Sequence, residues 1–275
     1  PREAERLLQE VLEIRSRELG SDHPDTLGSQ YAMADLLIDQ GRLDEAEPLV
    51  RETCGACARV FGEHDPATLE ARAQLADLLH ARGDLAEAEQ VQRGVFESSR
   101  RVLEEDDDLA AIFRTALAKS LLAQGKVEQA EQLYDDRVVP SRLEVESWFQ
   151  GDADWDPDRP TLVALWESWC PYSYRAMPRV QDAHRRFADA GLQVVGVTQV
   201  TRTADDDSVR EFITDRGLTF PIAKEGGSVS DDFNRNGGVP FTFVVRDGKV
   251  VWDGHPVFLS DRMLAGLLGV PDPAR

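Results

Sequence analysis

A spacing of 42 residues recurs throughout the first half of the sequence. Three glycines lie at this interval, Gly41, Gly83 and Gly125, and an alanine stands seven positions before each of them. Self-similarity at such a period is typical of a helical solenoid, in which each unit buries its apolar face only against its neighbours. The spacing therefore predicts an all-α solenoid over residues 1–142.

Each repeating unit is predicted to contain two helices. Pro24 and Pro66 suit the first position of a helix, where a backbone N–H has no partner within the helix. Gly41 and Gly83 favour the end of that helix. The pattern resembles the tetratricopeptide repeat (TPR) in its 42-residue, kinesin-light-chain form. The units fall at about 19–60, 61–102 and 103–142, after a partial repeat at 1–18.

The resemblance to TPR proteins implies a protein or peptide partner on the concave face of the solenoid. Gln30, Arg72 and Arg114 recur 42 residues apart on the first helix of each unit, so they are candidates for that face, with simple solvation as the alternative. Cys54 and Cys57 have a spacing that also occurs in zinc and redox sites. The repeat aligns Cys54 with apolar positions of the other units, which favours a packing role.

A single cysteine, Cys170, marks the second half of the sequence. An unbroken apolar run at 162–166 precedes it, long enough for one buried strand and too short for a helix, and helix-forming residues follow from 174 to 190. A cysteine at the N-terminus of a helix faces unpaired N–H groups and the positive end of the helix dipole, which favour its thiolate. Cys170 is therefore the candidate nucleophile.

Two segments of the second half resemble landmarks of the thioredoxin fold in its TlpA-like or redoxin branch. The first is Trp-Cys-Pro-Tyr-Ser at 169–173, followed by Met177-Pro178, and the second is Gly-Val-Pro at 238–240. They are similar to the active-site segment and to the cis-proline loop of that family. Over about residues 143–275 the resemblance implies an α/β domain with a mixed central sheet and flanking helices.

The resemblance also implies roles for the residues around this cysteine. Cys170 would react with a thiol or disulfide partner, and Ser173 would hydrogen-bond its thiolate. The residues expected to contact the substrate are Trp169, Pro171, Tyr172, Val239 and Pro240. We expect a cis bond before Pro240, within van der Waals reach of Cys170 and beside Trp169, with the Val239 backbone open to an extended substrate.

Three positions depart from the family pattern. Ser173 replaces the second cysteine, Ala164 stands where thioredoxins carry a buried acid, and Ala176 stands where many TlpA-like reductases carry a glutamate. A dithiol reductase needs a resolving thiol and a base. We therefore predict single-thiol redox chemistry, recruited to partners by the repeats. The alternative is a non-catalytic adaptor with a degenerate thioredoxin-like domain.

Further elements of the second domain are predicted from local patterns. A second buried strand follows Leu192, and an acidic cap at 205–207 begins a helix that runs to Arg216. A short helix is expected at 230–236, a two-residue hairpin turn at Asp247-Gly248, and a closing amphipathic helix at 259–268.

The net charge of −20 excludes several classes of partner. Residues 1–142 hold 17 Lys and Arg against 30 Asp and Glu, and residues 143–275 hold 14 against 21, so both halves repel nucleic acid and anionic bilayers. No segment is apolar enough for a membrane span, and no cofactor or metal site is expected. The composition favours a soluble, cytoplasmic protein, although a signal or anchor before Pro1 would change the compartment.

Overall fold

The computed structural model describes residues 2–104, 107–134, 143, 145–153, 156, 158–200, 205–226, 229 and 238–271. The chain divides into two compact units, Pro1–Ser120 and Leu121–Arg275. The short helix predicted at 230–236 lies outside the described residues.

The first unit is a series of helices, of which the first five pack each against the next. Their bounds are α1 Arg2–Leu19, α2 Pro24–Asp39, α3 Leu43–Phe61, α4 Pro66–Arg82, α5 Leu85–Val102 and α6 Asp108–Leu122, the last of which runs into the second unit. The predicted helical solenoid is confirmed.

Local signals set the ends of these helices. The Asp65 side chain accepts a hydrogen bond from Ala67 N at 2.9 Å, and Pro66 occupies the first helical position of α4. Gly83 ends the same helix with a φ of +92°, in the left-handed region that glycine adopts without a Cβ clash. The repeated alanines, such as Ala34 and Ala76, are fully buried between helices. The 42-residue pattern therefore specifies both the helix ends and their close packing.

Two predictions about the repeats can be compared with the side-chain contacts. Cys54 and Cys57 pack into the apolar core between α2, α3 and α4, and burial raises the pKa of Cys54 to about 11. This agrees with a packing role. The candidate Gln30 does not line an open face, because it is buried and accepts a hydrogen bond from Thr53 at 3.2 Å. Arg72 is paired with Glu63.

The second unit is built on a six-stranded sheet in the order β1-β4-β3-β2-β5-β6. The strands are β1 Val145–Gln150, β2 Thr161–Trp166, β3 Gln193–Thr198, β4 Ile222–Glu225, β5 Phe241–Arg246 and β6 Lys249–Gly254. β2, β3 and β4 are parallel, and β1, β5 and β6 are antiparallel to their neighbours. The predicted mixed sheet with flanking helices is confirmed.

Helices of the second unit connect and cover these strands. They are α7 Val127–Glu131, α8 Pro171–Phe187, α9 Asp206–Arg216 and α10 Asp261–Leu268, with 3-10 turns at Gln132–Tyr134 and Pro256–Phe258. The helix predicted from 174 begins at Pro171 instead, because proline is favoured at the first helical position. Cys170 is consequently the N-cap residue of α8.

The boundary between the compact units differs from the boundary at 142 that the repeat pattern predicts. Residues 121–134 continue the third repeat in sequence, but α7 and the turn after it contact β6. The Tyr134 hydroxyl donates to Asp253 Oδ1 at 2.9 Å, and both side chains are buried. The last part of the third repeat therefore belongs to the core of the second unit.

Candidate active site

The segments that carry the candidate residues lie at one end of the central strands of the sheet. β2 ends at Trp166 and continues through a short turn into α8, so Cys170 lies beyond the carboxyl end of β2. β5 runs antiparallel to β2, and its first residue, Phe241, pairs with Leu165. Residues 238–240 therefore lie at the same end of the sheet as Cys170. In open α/β sheets, ligand sites lie at the carboxyl ends of the parallel strands.

The Cys170 thiol lies against the proline loop. Its Sγ donates to the backbone oxygen of Val239 at 3.3 Å, and the Val239–Pro240 peptide bond is cis. These two features agree with the expectation from sequence. Cys170 is 5% exposed, and Pro240 is also buried. The thiol is thus held between the N-terminus of α8 and a backbone carbonyl that it contacts directly.

Ser173 is fully buried one turn into α8. Its hydroxyl oxygen accepts a hydrogen bond from the backbone N–H of Glu167 at 3.3 Å. Among the described residues, Ser173 and Cys170 form no side-chain hydrogen bond with each other, and the Cys170 thiol donates to the Val239 oxygen. Ser173 thus braces the turn that leads to Cys170, and its contact with a thiolate stays a prediction.

Three predicted substrate residues surround the buried thiol at the surface. Trp169 is 51% exposed, Tyr172 is 66% exposed, and Pro171 between them in sequence also faces solvent. The Trp169 indole N–H donates to the Glu167 carboxylate. The structure therefore brings Trp169, Pro171 and Tyr172 together on the turn that holds Cys170, with the proline loop beside it.

Sequence reasoning missed two exposed apolar residues at this end of the sheet. Gly254, the last residue of β6, pairs with Thr242 near the start of β5, so the following turn with Val257 and Phe258 lies at the same end of the sheet. Both side chains are more than half exposed. The strong hairpin signal at Asp247-Gly248 fixes this register and would have located them.

Glu167 is the second feature that sequence reasoning left unassigned. Its carboxylate is half-buried, and desolvation, with a smaller contribution from the charge of Glu225, raises its pKa, while the Trp169 indole opposes this shift. Ala164 and Ala176, where related proteins carry acids, are both buried. Glu167 therefore supplies a carboxyl group at the cysteine turn that the family pattern does not predict.

The Glu167→Gln variant is expected to unfold at a higher temperature than the wild type at neutral pH. When the pKa of a carboxyl group is higher in the folded than in the unfolded state, the folded protein loses stability as the pH rises from the unfolded-state pKa through the folded-state pKa. An amide does not titrate, so the variant does not lose this stability. The difference should disappear below pH ~4, where both states of the wild type are protonated. Thermal unfolding of the two chains across this pH range measures it. An equal difference at every pH would contradict the burial of the Glu167 charge.

The family comparisons follow the same division of the chain. Residues 152–253 match the model of the AhpC/TSA family, and residues 1–59, 29–93 and 111–136 match tetratricopeptide repeat models. The chain thus combines tetratricopeptide repeats with a domain that matches the AhpC/TSA family model. The predicted combination of TPR repeats with a redoxin-type thioredoxin-like domain is confirmed.

Relatives of the thioredoxin-like domain are bacterial proteins. The thioredoxin-like protein YneN of Bacillus subtilis is 29% identical over 94 residues, which are 34% of this chain and 54% of YneN. The thiol-disulfide oxidoreductase ResA of Bacillus anthracis is 26% identical over 91 residues, 33% of this chain and 51% of ResA. The chain thus spans about half the length of these curated relatives.

Solved structures are similar to each unit separately. A kinesin light chain of Podosopora anserina with nearly identical TPR-like repeats has a TM-score of 0.46 and 27% identity, covering 49% of this chain and 64% of that one. A thioredoxin-like protein solved in its oxidized form has a TM-score of 0.42 and 23% identity, covering 49% of this chain and 97% of that one.

Neither a metal-binding cluster nor a membrane-spanning helix is found among the described residues. No group of three or more His, Cys, Asp and Glu side chains is arranged to hold a metal ion there. Within the same residues, no helix combines the length and the apolar character needed to cross a bilayer.

Proposed function

We propose that Cys170 is the nucleophile of a single-thiol oxidoreductase and that the TPR repeats recruit the protein partner. The observation that carries the proposal is the position of the Cys170 sulfur, at the N-cap of α8 and 3.3 Å from Val239 O of the proline loop. The relation to proteins named thiol-disulfide oxidoreductases supports this chemistry.

The reaction begins with the Cys170 thiolate. Its sulfur attacks one sulfur of a partner disulfide, so that a new S–S bond forms at Cys170 while the partner's S–S bond breaks. The second partner sulfur leaves as a thiolate and takes up a proton. Because position 173 is serine, an external thiol must then attack the mixed disulfide. That thiol becomes bonded to the partner sulfur, and Cys170 returns to its thiol form after protonation.

The surroundings of Cys170 favour a polypeptide as the partner. The exposed rings of Trp169 and Tyr172 offer apolar contact next to the thiol. Among the described residues, the Val239 backbone oxygen accepts a hydrogen bond from the weak S–H donor alone. Loss of that proton on thiolate formation leaves the oxygen available to a peptide N–H. An extended segment that carries a disulfide would fit these two features.

The second candidate function is a protein-binding adaptor without redox activity. It is favoured by the low exposure of Cys170 and by the buried alanines at 164 and 176, where related reductases carry acids. In that case the TPR repeats and the thioredoxin-like domain would both serve as docking surfaces, and Cys170 would be a packing residue.

Reaction with glutathione disulfide separates the two functions. We expect the reduced chain to gain the mass of one glutathione, and a Cys54→Ser/Cys57→Ser variant, which keeps Cys170, to react equally well. Cys170→Ser should abolish the adduct. Intact-mass spectrometry over time measures all three. A wild-type chain that stays unmodified, or one modified only at Cys54 or Cys57, would favour the adaptor.

A further inference from the structure

Glu167 lies in a turn that its own backbone ties to the start of α8. The backbone N–H of Cys170 donates to the Glu167 backbone oxygen at 3.2 Å, which closes a four-residue turn from 167 to 170. The Glu167 N–H in turn donates to the Ser173 hydroxyl oxygen at 3.3 Å. The backbone of Glu167 is therefore fixed relative to the candidate nucleophile and to the residue one helical turn after it.

The Glu167 side chain extends these contacts to Trp169. Its carboxylate accepts a hydrogen bond from the indole N–H, so the first residue of the turn holds the ring of the third. The ring is half-exposed, and within the described part of the chain no aromatic ring or cation stacks on it. Without the hydrogen bond, such a ring could turn about its two side-chain torsions. The carboxylate thus selects one orientation of the ring beside Cys170.

The position of this carboxylate is unfavourable for stability. Burial raises the pKa of Glu167, the Trp169 indole opposes the shift, and the charge of Glu225 adds to it. Among the described residues, the carboxylate has the indole as its one hydrogen-bond donor and forms no ion pair. A residue that lowers stability next to a reactive group is typical of a functional site.

Glu167 does not act on the sulfur of Cys170 itself. Its carboxylate accepts the indole N–H, and no hydrogen bond among the described residues joins it to the thiol, which donates to Val239. The thiol is buried, so a partner disulfide reaches it only past the side chains at the surface around it. Trp169 is one of these side chains and directly precedes Cys170. Its ring therefore meets the residue next to the reacting cysteine of a partner.

We propose that Glu167 is a positioning residue, which holds the Trp169 ring to receive a large apolar side chain next to the reacting cysteine of the partner. This inference rests on the proposed function and names the partner sequences that Cys170 prefers. An aromatic side chain that packs against a fixed indole gains about fivefold beyond the effect of its buried area. A ring that is free to turn loses part of this gain, because the partner must then order it.

Two peptide disulfides test the proposal on the full chain with serine at positions 54 and 57. One is the symmetrical disulfide of capped Gly-Phe-Cys-Phe-Gly and the other that of capped Gly-Ser-Cys-Ser-Gly, so only the flanking side chains differ. The Cys170 thiolate bonds to one sulfur of either disulfide, and the second peptide leaves as a thiolate and takes up a proton. Intact-mass spectrometry gives both rates. The chain with Glu167 should react about fivefold faster with the phenylalanine peptide.

Glu167→Ala and Glu167→Gln form a matched pair, because both remove the charge and only glutamine keeps an acceptor for the indole N–H. The preference for the phenylalanine peptide should fall below about twofold in Glu167→Ala and stay near about fivefold in Glu167→Gln. Glu211→Ala removes an exposed carboxylate on α9 and should leave the preference unchanged. Hydrogen exchange of the Trp169 indole proton, assigned by its loss in Trp169→Phe, should be about fivefold faster in Glu167→Ala than in Glu167→Gln.

Three outcomes would overturn the inference. An equal preference in Glu167→Ala and Glu167→Gln would show that the indole contact does not set it. Equal exchange rates in these variants would show that the acceptor does not hold the ring, and equal rates of the parent chain with both peptides would remove the role of the flanking side chain. Reaction at Cys170 in each case would leave the redox proposal intact. Absence of reaction with both peptides would instead refute the proposed function, and the inference with it.

Discussion

The Ser173→Cys variant is expected to release a mixed disulfide that the wild-type chain retains. Ser173 stands on the first turn of α8, three residues after Cys170, and is fully buried behind it. A thiol there would attack the Cys170 adduct within the same molecule. Such proximity raises effective concentrations by many orders of magnitude, so release should accelerate by a factor on the order of a hundred or more. Loss of glutathione from the preformed adduct, followed by mass spectrometry without added thiol, measures this rate.

A matched control keeps the added thiol and moves it away from the site. Ser98→Cys places it on α5 of the TPR unit, and both variants carry serine at positions 54 and 57. Release from the Ser98→Cys chain should remain at the wild-type rate. Insulin reduction by Ser173→Cys should nevertheless stay weak, because Ala164 supplies no carboxylate to accept the proton of the new thiol. Equal release rates in the two variants would mean that position 173 cannot reach the adduct.

Local signals explain why much of the fold is predictable from the sequence. Pro24 begins α2, Gly83 ends α4, and the apolar run at 162–166 becomes β2 with one further residue. The register of the β5–β6 hairpin follows from Asp247-Gly248. Each of these features depends on the backbone preferences of a few neighbouring residues, and these preferences follow from the residue types in the sequence.

Contacts between distant segments are not predictable in the same way. The 42-residue period identifies equivalent positions but not which stripe of a helix is open, so Gln30 is buried against Thr53 while Asp35 is exposed. The indole bond from Trp169 to Glu167 depends on the bend of one turn. Likewise, nothing in the third repeat indicates that Tyr134 would bind Asp253 across 119 residues of sequence. These features required the three-dimensional structure.

The Gly266→Ala variant is expected to destabilise the second unit strongly. Gly266 lies on α10 against the end of α6, and a Cβ at this position would stand 1.8 Å from the Leu122 backbone oxygen and 3.2 Å from Gly125 N. These are backbone atoms, so the clash cannot be relieved by a rotamer change, and α10 must move away. Overpacking of this kind costs roughly 3 kcal/mol or more. Because all five tryptophans lie within residues 143–275, their fluorescence during urea unfolding reports on the second unit alone.

A glycine-to-alanine substitution at another position should stabilise the chain instead of destabilising it. Gly94 lies in the interior of α5, and a Cβ added there would meet no described atom within 4 Å, so Gly94→Ala should stabilise its helix by about 0.5–1 kcal/mol through the lower flexibility of the unfolded chain. It should leave the tryptophan transition in place, since α5 belongs to the first unit. An unchanged tryptophan midpoint in Gly266→Ala would instead mean that α10 does not press on the carbonyl of Leu122. In that case the end of the third repeat would not be part of the core of the thioredoxin-like domain.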